Sequence, residues 1–134
     1  MNDCIFCKII KGEIQSQKIY EDEDTYAFLD INPSTKGHTL IIPKKHYENT
    51  LETPDEELSK IIKTTKALAK QIKQKLNADG INIMNANGKQ AQQSVFHMHF
   101  HIVPRYKNDG LNMWFHETEK QKYDLNELKK QILN

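Results

Sequence analysis

The chain has 134 residues, with 19 basic and 18 acidic side chains and a formal net charge of +1. This balance gives no bulk-charge signal for nucleic acid or a membrane surface as a partner, and no apolar run approaches the length of a bilayer span. The length suits one domain with a modest core, which we expect to cover residues 1–134. The start of the chain lacks a signal-peptide pattern, which predicts a cytoplasmic protein.

The first feature along the chain is Cys4-Ile-Phe-Cys7, which contains both cysteines. A Cys-x-x-Cys pair on a turn supplies half of a tetrahedral zinc site, and two further ligands are needed. The alternatives are a redox dithiol or two ordinary thiols in a short amphipathic helix. Ile5, Phe6 and Ile9 have helical spacing, so we expect them in the core or in the wall of a pocket.

Three strands are predicted between residues 17 and 43. Lys18–Glu21 and Thr25–Leu29 flank a polar turn and suit a hairpin. Thr39–Ile42 forms the third strand, which Pro43 closes.

Three polar side chains accompany these strands. Asp30 stands where a strand enters a loop, so its carboxylate either forms a local Asx turn or accepts hydrogen bonds from ligand hydroxyls. His38 and His46 bracket the third strand, and each alone is more often a structural or surface histidine than a ligand.

A long amphipathic helix is predicted to follow. Thr53-Pro-Asp-Glu56 presents an N-cap residue, a proline at the first helical position and the glutamate of a capping box. An apolar stripe then recurs at intervals of three and four residues, and we expect it to pack on a sheet. The stripe consists of Leu58, Ile61, Ile62, Thr65, Leu68, Ala69, Ile72 and Leu76. Asn77–Gly80 ends the helix, and Ile81–Asn85 alternates apolar and polar residues as a strand does.

The stretch from Ser94 to Arg105, with the sequence SVFHMHFHIVPR, also has the composition of a strand. Side chains alternate along a strand, so His97, His99 and His101 would stand in a row on one face. Such a row is either an exposed polar face, a shared metal site, or a nucleophile with neighbours that orient it. The polar loop before it, residues 85–93, suits the binding of an oxyanion.

Several separate segments together resemble the histidine-triad nucleotide-binding proteins. These are the His-x-His-x-His row with Gln-Ser-Val before it and Pro-Arg after it, the early Cys-Ile-Phe-Cys-Lys-Ile-Ile, Phe28-Leu-Asp-Ile-Asn-Pro, and Ile42-Pro-Lys-Lys-His46. The resemblance runs from about Asp3 to Arg105 and leaves residues 106–134 as a C-terminal extension. It implies an α+β fold in which an antiparallel sheet of about five strands carries one long helix.

The extension itself predicts a short terminal helix over Asp124–Leu133, with Leu125, Leu128, Ile132 and Leu133 facing inward. Trp114, Phe115 and His116 either line a substrate entrance or a dimer partner, or simply pack on the surface.

The family resemblance implies a homodimer that binds purine nucleotides. It implies a nucleotidyl hydrolase or transferase acting on nucleoside phosphoramidates, acyl adenylates or dinucleoside polyphosphates. The alternatives are a nucleotide-binding scaffold protein with little turnover and a hydrolase whose metal is held by the three histidines of the row.

The resemblance also implies residue roles. His99 matches a nucleophile that attacks the α-phosphorus without a metal there, forming a nucleotidyl-histidine that water then cleaves. His101 and His38 match positions beside the phosphate, and His97 supports the nucleophile from behind. The remaining positions match nucleotide contacts: Gln93 and Ser94 at the phosphate and leaving group, Asp30 at the ribose, and Ile5, Phe6, Ile9, Phe28 and Ile31 around the base.

For the cysteine pair, the resemblance supplies two further zinc ligands. Some bacterial members and the related uridylyltransferases bind zinc through positions that are Cys4, Cys7, His46 and His97 here, which implies a structural zinc.

The phosphate loop departs from the family pattern at two positions. Ala86 stands where many members have an amide beside the phosphates, and Gln92 replaces a glycine. Asn85 or Asn87 is expected to provide the contact that Ala86 lacks.

Overall fold

A five-stranded antiparallel sheet forms the centre of the molecule, as the sequence predicts. The structure is a computed structural model that describes residues 3–114 and 122–134. The strands are β1 (Lys18–Glu21), β2 (Thr25–Leu29), β3 (Thr39–Pro43), β4 (Gly80–Met84) and β5 (Phe100–Arg105). Their spatial order is β1-β2-β3-β5-β4, and every neighbouring pair is antiparallel.

Helices cover both faces of this sheet. The short helix α1 (Ile5–Ile10) and the long helix α2 (Asp55–Lys75) pack on opposite faces, because side chains along each strand alternate between them. Residues of the α2 face include Ala27, Ile41, Met98 and Ile102, packed with Ile61, Leu68, Ala69 and Ile72. Residues of the α1 face are Tyr26, Phe28, Leu40 and Ile42, packed with Phe6 and Ile9.

The apolar stripe of α2 is confirmed except at one position. Ile61 is fully buried, whereas Ile62 is 44% exposed. Adjacent residues of a helix point about 100° apart, and that rotation carries Ile62 beyond the edge of the buried stripe.

The predicted capping box does not form. Helix α2 begins at Asp55 with Pro54 as its N-cap, and no side chain bonds its first backbone N–H groups. The Thr53 hydroxyl donates instead to the carbonyl oxygen of Asn49 at 2.7 Å, closing the short 3₁₀ turn Thr50–Glu52. The acidic side chains of the first turn still interact favourably with the positive end of the helix dipole.

The histidine strand is shorter than the sequence predicts. Strand β5 begins at Phe100 rather than Ser94, so His97 and His99 lie in the irregular segment before it. Strand β3 pairs with β5 only from Thr39 to Ile41, and although β3 continues to Pro43, its last two residues do not pair with the residues before Phe100. Pro104 is accommodated within β5 because it pairs with β4 alone: β3 begins at Thr39, opposite Ile102, and does not reach Pro104.

The C-terminal helix α3 (Leu125–Leu133) forms where predicted, with the Asp124 side chain accepting from the N–H of Glu127 at 3.2 Å. Its apolar side chains do not face inward, because Leu125, Leu128, Ile132 and Leu133 are all exposed. Trp114 is exposed, and the predictions for Phe115 and His116 fall outside the described residues. Within the described ranges, no helix combines the length and apolarity that a membrane crossing requires.

Candidate active site and metal cluster

A cleft of about 350 Å³ opens between α1 and the start of β5. Apolar side chains form its floor and walls, while two histidines and a carboxylate stand at one end. The predicted site residues on this cleft are Ile5, Phe6, Ile9, Phe28, Asp30, Ile31, Ser94, His99 and His101. Residues up to 96 positions apart in the chain, Ile5 and His101, thus meet at one concave surface.

The ring of His99 is held in one tautomer by the backbone. Its Nδ1 lies 2.7 Å from the carbonyl oxygen of His97, which can only accept, so Nδ1 carries the proton. The lone pair of the neutral ring is therefore on Nε2. The edge of Phe6 packs against this ring with the centroids 5.2 Å apart, which limits its rotation.

A second chain of hydrogen bonds orders the other two imidazoles. The N–H of Ser34 donates to Nδ1 of His38 at 3.0 Å, so Nε2 of the neutral His38 carries a proton. That Nε2 donates to Nδ1 of His101 at 2.9 Å, which leaves the proton of His101 on its own Nε2. His99 and His101 are neighbours, with ring centroids 4.9 Å apart. The pair thus combines a lone pair on one ring with an N–H donor on the next.

Burial keeps these imidazoles neutral near pH 7. It lowers the pKa of His101 to about 4, with further lowering from His99 and His38. Burial also lowers the pKa of His99, against the opposing effects of the His97 carbonyl and Asp30. The pKa of His38 is lowered by burial, again opposed by Asp30. A neutral imidazole retains the lone pair that a nucleophile requires.

Asp30 forms the local Asx turn that its sequence position suggested, and its second carboxylate oxygen lies near His38. Its Oδ1 accepts from the N–H of Asn32 at 2.8 Å, which is an Asx turn. Its Oδ2 lies 3.6 Å from Nε2 of His38, at the polar end of the cleft.

The histidine triad is His97, His99 and His101. The ring of His97 and three further side chains converge on a point outside the cleft. Nδ1 of His97 lies 3.4 Å from Sγ of Cys4, 3.6 Å from Sγ of Cys7 and 3.2 Å from Nδ1 of His46. Sγ of Cys7 lies 3.4 Å from Nδ1 of His46. Zinc bound at usual lengths in a tetrahedron places S and N ligands about 3.6 Å apart and two N ligands about 3.3 Å apart. The four residues therefore fit a zinc ion.

The outer hydrogen bonds of the cluster agree with metal ligation. Nε2 of His97 donates to the carbonyl oxygen of Pro43 at 2.8 Å, which leaves Nδ1 unprotonated and free to be a ligand. Burial and the neighbouring Cys4 raise the pKa of the Cys7 thiol to about 11, which disfavours a reactive redox dithiol in the metal-free chain.

The three triad histidines do not share a metal site. His97 is directed toward the cysteines, His99 toward a backbone carbonyl and His101 toward His38. Asp30, His38 and His101 form a second convergent group in the described part of the chain. Ligation through Nε2 of His38 would require its proton on Nδ1, where the Ser34 amide already donates.

Comparison with known proteins agrees with this geometry. A family model described as HIT domain matches residues 11–108, which is more than half of the chain. The chain belongs to the HIT domain family. This HIT protein is 54% identical over 129 residues to an uncharacterised HIT-like protein of Methanocaldococcus jannaschii, covering 96% of this chain and 98% of the relative.

Two other relatives carry names with chemical content. An adenosine 5'-monophosphoramidase of Saccharomyces cerevisiae, HNT1, is 44% identical and is matched over 97% of this chain and 80% of its own. A Zn-bound histidine triad family protein of Mycobacterium smegmatis, solved by crystallography, superposes with a TM-score of 0.80 at 40% identity. That match covers 87% of this chain and 85% of the crystallised one.

Two predicted nucleotide contacts of this HIT protein lie away from the cleft. Gln93 is buried, its Oε1 accepts from the N–H of Gly88 at 2.8 Å, and its Nε2 donates to the carbonyl oxygens of Glu48 and Val95. Its amide thus fixes the loop rather than pointing at a phosphate. Asn87 is likewise turned toward the protein, as its bonds to Thr50 and Asn85 show.

Several residues of the site region were not predicted from the sequence: Thr50, and the cleft-lining Ile14, Gln15, Ser16, Asn32, Leu40 and Val95. Thr50 donates from its hydroxyl to Oδ1 of Asn85 at 2.7 Å, although 35 residues separate them. A threonine in a polar segment carries no sequence signal for such a contact. Only the packing of the loop after β3 against the loop after β4 reveals it.

Proposed function

We propose that this HIT protein is a nucleotidyl hydrolase or transferase that acts at the α-phosphorus of purine nucleotides. Its substrates would be nucleoside phosphoramidates, acyl adenylates or dinucleoside polyphosphates. The observation that carries the proposal is the 2.7 Å hydrogen bond from Nδ1 of His99 to the His97 carbonyl, which leaves the lone pair on Nε2. The relative named as an adenosine 5'-monophosphoramidase gives independent support for nucleoside phosphoramidates among these substrates.

In the first step Nε2 of His99 attacks the α-phosphorus, forming an N–P bond while the bond from phosphorus to the leaving group breaks. The leaving group departs with that electron pair and takes a proton from solvent. The imidazolium formed on His99 keeps its Nδ1–H on the His97 carbonyl, which stabilises the positive charge. Nε2–H of His101 donates a hydrogen bond to a phosphoryl oxygen as negative charge develops there.

In the second step a water molecule attacks the same phosphorus and releases one proton to solvent, which balances the proton that the leaving group took up. The N–P bond breaks, the nucleoside monophosphate leaves, and His99 returns to its neutral tautomer. In a transferase reaction an alcohol or amine takes the place of the water. This chemistry needs no metal at phosphorus, because the imidazole itself is the nucleophile.

The apolar end of the cleft suits a purine base. Ile5, Phe6, Ile9 and Phe28 offer flat apolar surfaces, and Ile31, which is 84% exposed, stands at the rim. A purine there would place its ribose near the carboxylate of Asp30 and its α-phosphate near Ser94, His99 and His101. Gln93 and Asn87 would then contribute through the loop that they hold.

The proposal includes a structural zinc held by Cys4, Cys7, His46 and His97, whose atoms have the required separations. When bound, the zinc would join α1 to the histidine segment. Thiolate ligands persist in a reducing compartment, which fits a cytoplasmic location.

A homodimer completes the proposal. Strand β4 lies at the edge of the sheet, and its side chains Ile83 and Met84 are 46% and 40% exposed. Pairing of this edge with a second copy would join two sheets into one.

The test is hydrolysis of adenosine 5'-phosphoramidate by the wild-type protein and by His99→Ala. We expect wild-type turnover and a loss of at least about 10³-fold in kcat for the variant, since its nucleophile is missing. AMP binding by the variant should persist, and its zinc content should equal that of the wild type.

Three outcomes would contradict the proposal in different ways. A variant with the wild-type rate would exclude His99 as the nucleophile. A wild-type protein that binds AMP without turnover would be a scaffold. Loss of a metal ion specifically in His99→Ala would favour a triad-held metal.

A further inference from the structure

The proposed nucleophile lies where the sheet no longer holds the backbone. Strand β5 begins at Phe100, so the segment 94–99 has no ladder of strand hydrogen bonds. The direction of the His99 lone pair nevertheless depends on that backbone, through the bond to the His97 carbonyl. Other contacts must therefore fix this segment.

These contacts come from residues 44–53, the loop between β3 and α2, which we call the brace loop. The carbonyl oxygen of Tyr47 accepts from the N–H of Met98 at 2.7 Å. The carbonyl oxygen of Glu48 accepts from Nε2 of Gln93 at 2.7 Å. The brace loop thus holds the segment at two points, at Met98 within it and at Gln93 just before it.

The brace loop also reaches His99 through a network of side chains. Oδ1 of Asn85 accepts two hydrogen bonds, from the Thr50 hydroxyl at 2.7 Å and from Nδ2 of Asn87 at 2.7 Å. Both lone pairs of that oxygen are used, so the amide cannot flip. Its Nδ2 donates to the carbonyl oxygen of His99 at 2.9 Å.

Asn87 links this network back to the backbone of the brace loop. Its Oδ1 accepts from the backbone N–H of Thr50 at 2.8 Å. Thr50 therefore binds both asparagines, one through its hydroxyl and one through its amide. Neither Thr50 nor Asn87 lines the cleft.

We propose that Thr50 and Asn87 are positioning residues for the nucleophile, acting through the amide of Asn85 on the backbone of His99. This inference rests on the proposed function. A nucleophile must lie within a narrow range of distance and angle to phosphorus, and a small displacement costs rate without costing ground-state binding. The network holds the nucleophile within that range from outside the cleft.

Thr50→Val tests the hydroxyl, because valine keeps the shape of threonine and removes one donor to Asn85. We expect kcat for adenosine 5'-phosphoramidate to fall by about tenfold or more, with the Kd for AMP within about twofold of the wild type. Thr53→Val is the matched control: its hydroxyl also donates one hydrogen bond, but to the backbone carbonyl of Asn49 within the brace loop and not to Asn85 or Asn87. We expect its kcat to remain at the wild-type value whatever its effect on Tm.

Asn87→Ala and the double variant test whether the two residues act as one unit. Since both act through Asn85, the double variant should lose no more kcat than the more severe single variant. Independent, multiplied losses would overturn the inference. So would an unchanged kcat in Thr50→Val, or an equal loss in Thr53→Val.

Exchange of the Met98 amide hydrogen gives a readout that does not need turnover. We expect faster exchange in Thr50→Val than in the wild type and in Thr53→Val, because the bond to Tyr47 loosens with the brace loop. Unchanged exchange would overturn the inference even if the enzyme is active. A wild-type protein without turnover would reject the proposed function, and the exchange result would still decide whether Thr50 holds the segment.

Discussion

His97 donates its Nε2–H to the carbonyl oxygen of Pro43, the last residue of β3, at 2.8 Å. This bond anchors the ring to the sheet and leaves Nδ1 for the cysteine cluster. The carbonyl oxygen of the same residue accepts from Nδ1 of His99. His97 therefore connects the candidate zinc cluster to the proposed nucleophile, although its own ring is not on the cleft.

The cluster predicts one zinc ion per chain. Purified protein should contain stoichiometric zinc by elemental analysis, and the double variant Cys4→Ser, Cys7→Ser should lose it. Because the ion would join α1 to the histidine segment, we expect a loss of several kcal/mol in the free energy of unfolding. His38→Gln is the control, since this buried histidine lies outside the cluster. Protein that holds no zinc even after zinc is supplied would contradict the prediction.

The buried imidazoles predict acid sensitivity of the fold. His101 binds a proton with a pKa of about 4 when folded, against an ordinary value of 6.5 when unfolded. Between these values the unfolded chain binds more protons, so the free energy of unfolding falls as pH falls from 6.5 to 4. Allowing for its partial exposure, we expect His101 to contribute a loss on the order of 2 kcal/mol.

Denaturant titrations at pH 7 and pH 4.5 measure this effect. Asp30, His38 and His99 face the same ring, and zinc release also depends on pH, so the informative quantity is a difference between proteins. His101→Gln cannot titrate, so its stability should fall less between the two pH values than that of the wild type. If the free energy of unfolding fell equally in both proteins, His101 would be excluded as a source of the acid sensitivity.

Gly37 predicts a local packing constraint beside the site. It has φ +94°, and a Cβ there would overlap Cδ1 of Leu76 and lie 3.3 Å from Cγ of Pro104. Gly88 has the same φ of +94° but open space around it. We expect Gly88→Ala to cost on the order of 1–3 kcal/mol, because its backbone lies at φ 94° and ψ 160°, a region open essentially to glycine alone. Gly37→Ala should cost about 1–3 kcal/mol more than Gly88→Ala, because overpacking is added. If thermal denaturation showed equal losses of stability for Gly37→Ala and Gly88→Ala, the close contact with Leu76 would have no role.

The sequence by itself located most of the regular elements. Short runs rich in β-branched and aromatic residues, Thr25–Leu29 and Thr39–Ile42, predicted two strands, both of which are largely buried on their two faces. The stripe through Ile61, Leu68 and Ile72 predicted the long helix, because only one face of that helix packs on the sheet and the chain repeats this difference at a fixed period. The order of motifs likewise indicated the family, and with it the triad.

Tertiary structure decided where the elements end and which polar groups meet. Strand β5 begins only at Phe100, because the residue Met98 before it donates its N–H to the Tyr47 carbonyl and not to β3. The Thr53 hydroxyl bonds Asn49 because a 3₁₀ turn precedes the helix. Helix α3 has an amphipathic pattern, yet its apolar face meets nothing in the described chain that buries it.

For the three histidines of the row, too, the sequence identified the residues and the folded chain decided their contacts. Composition and spacing identified His97, His99 and His101 as unusual, and residue types alone left a shared metal and a nucleophile as equal alternatives. Their different roles depend on which partner each Nδ1 meets: the cysteines, a backbone carbonyl or a second imidazole. Those partners come from distant parts of the chain or from the backbone path itself. The spacing of the histidines could therefore be read from the sequence, whereas their tautomers required the folded chain.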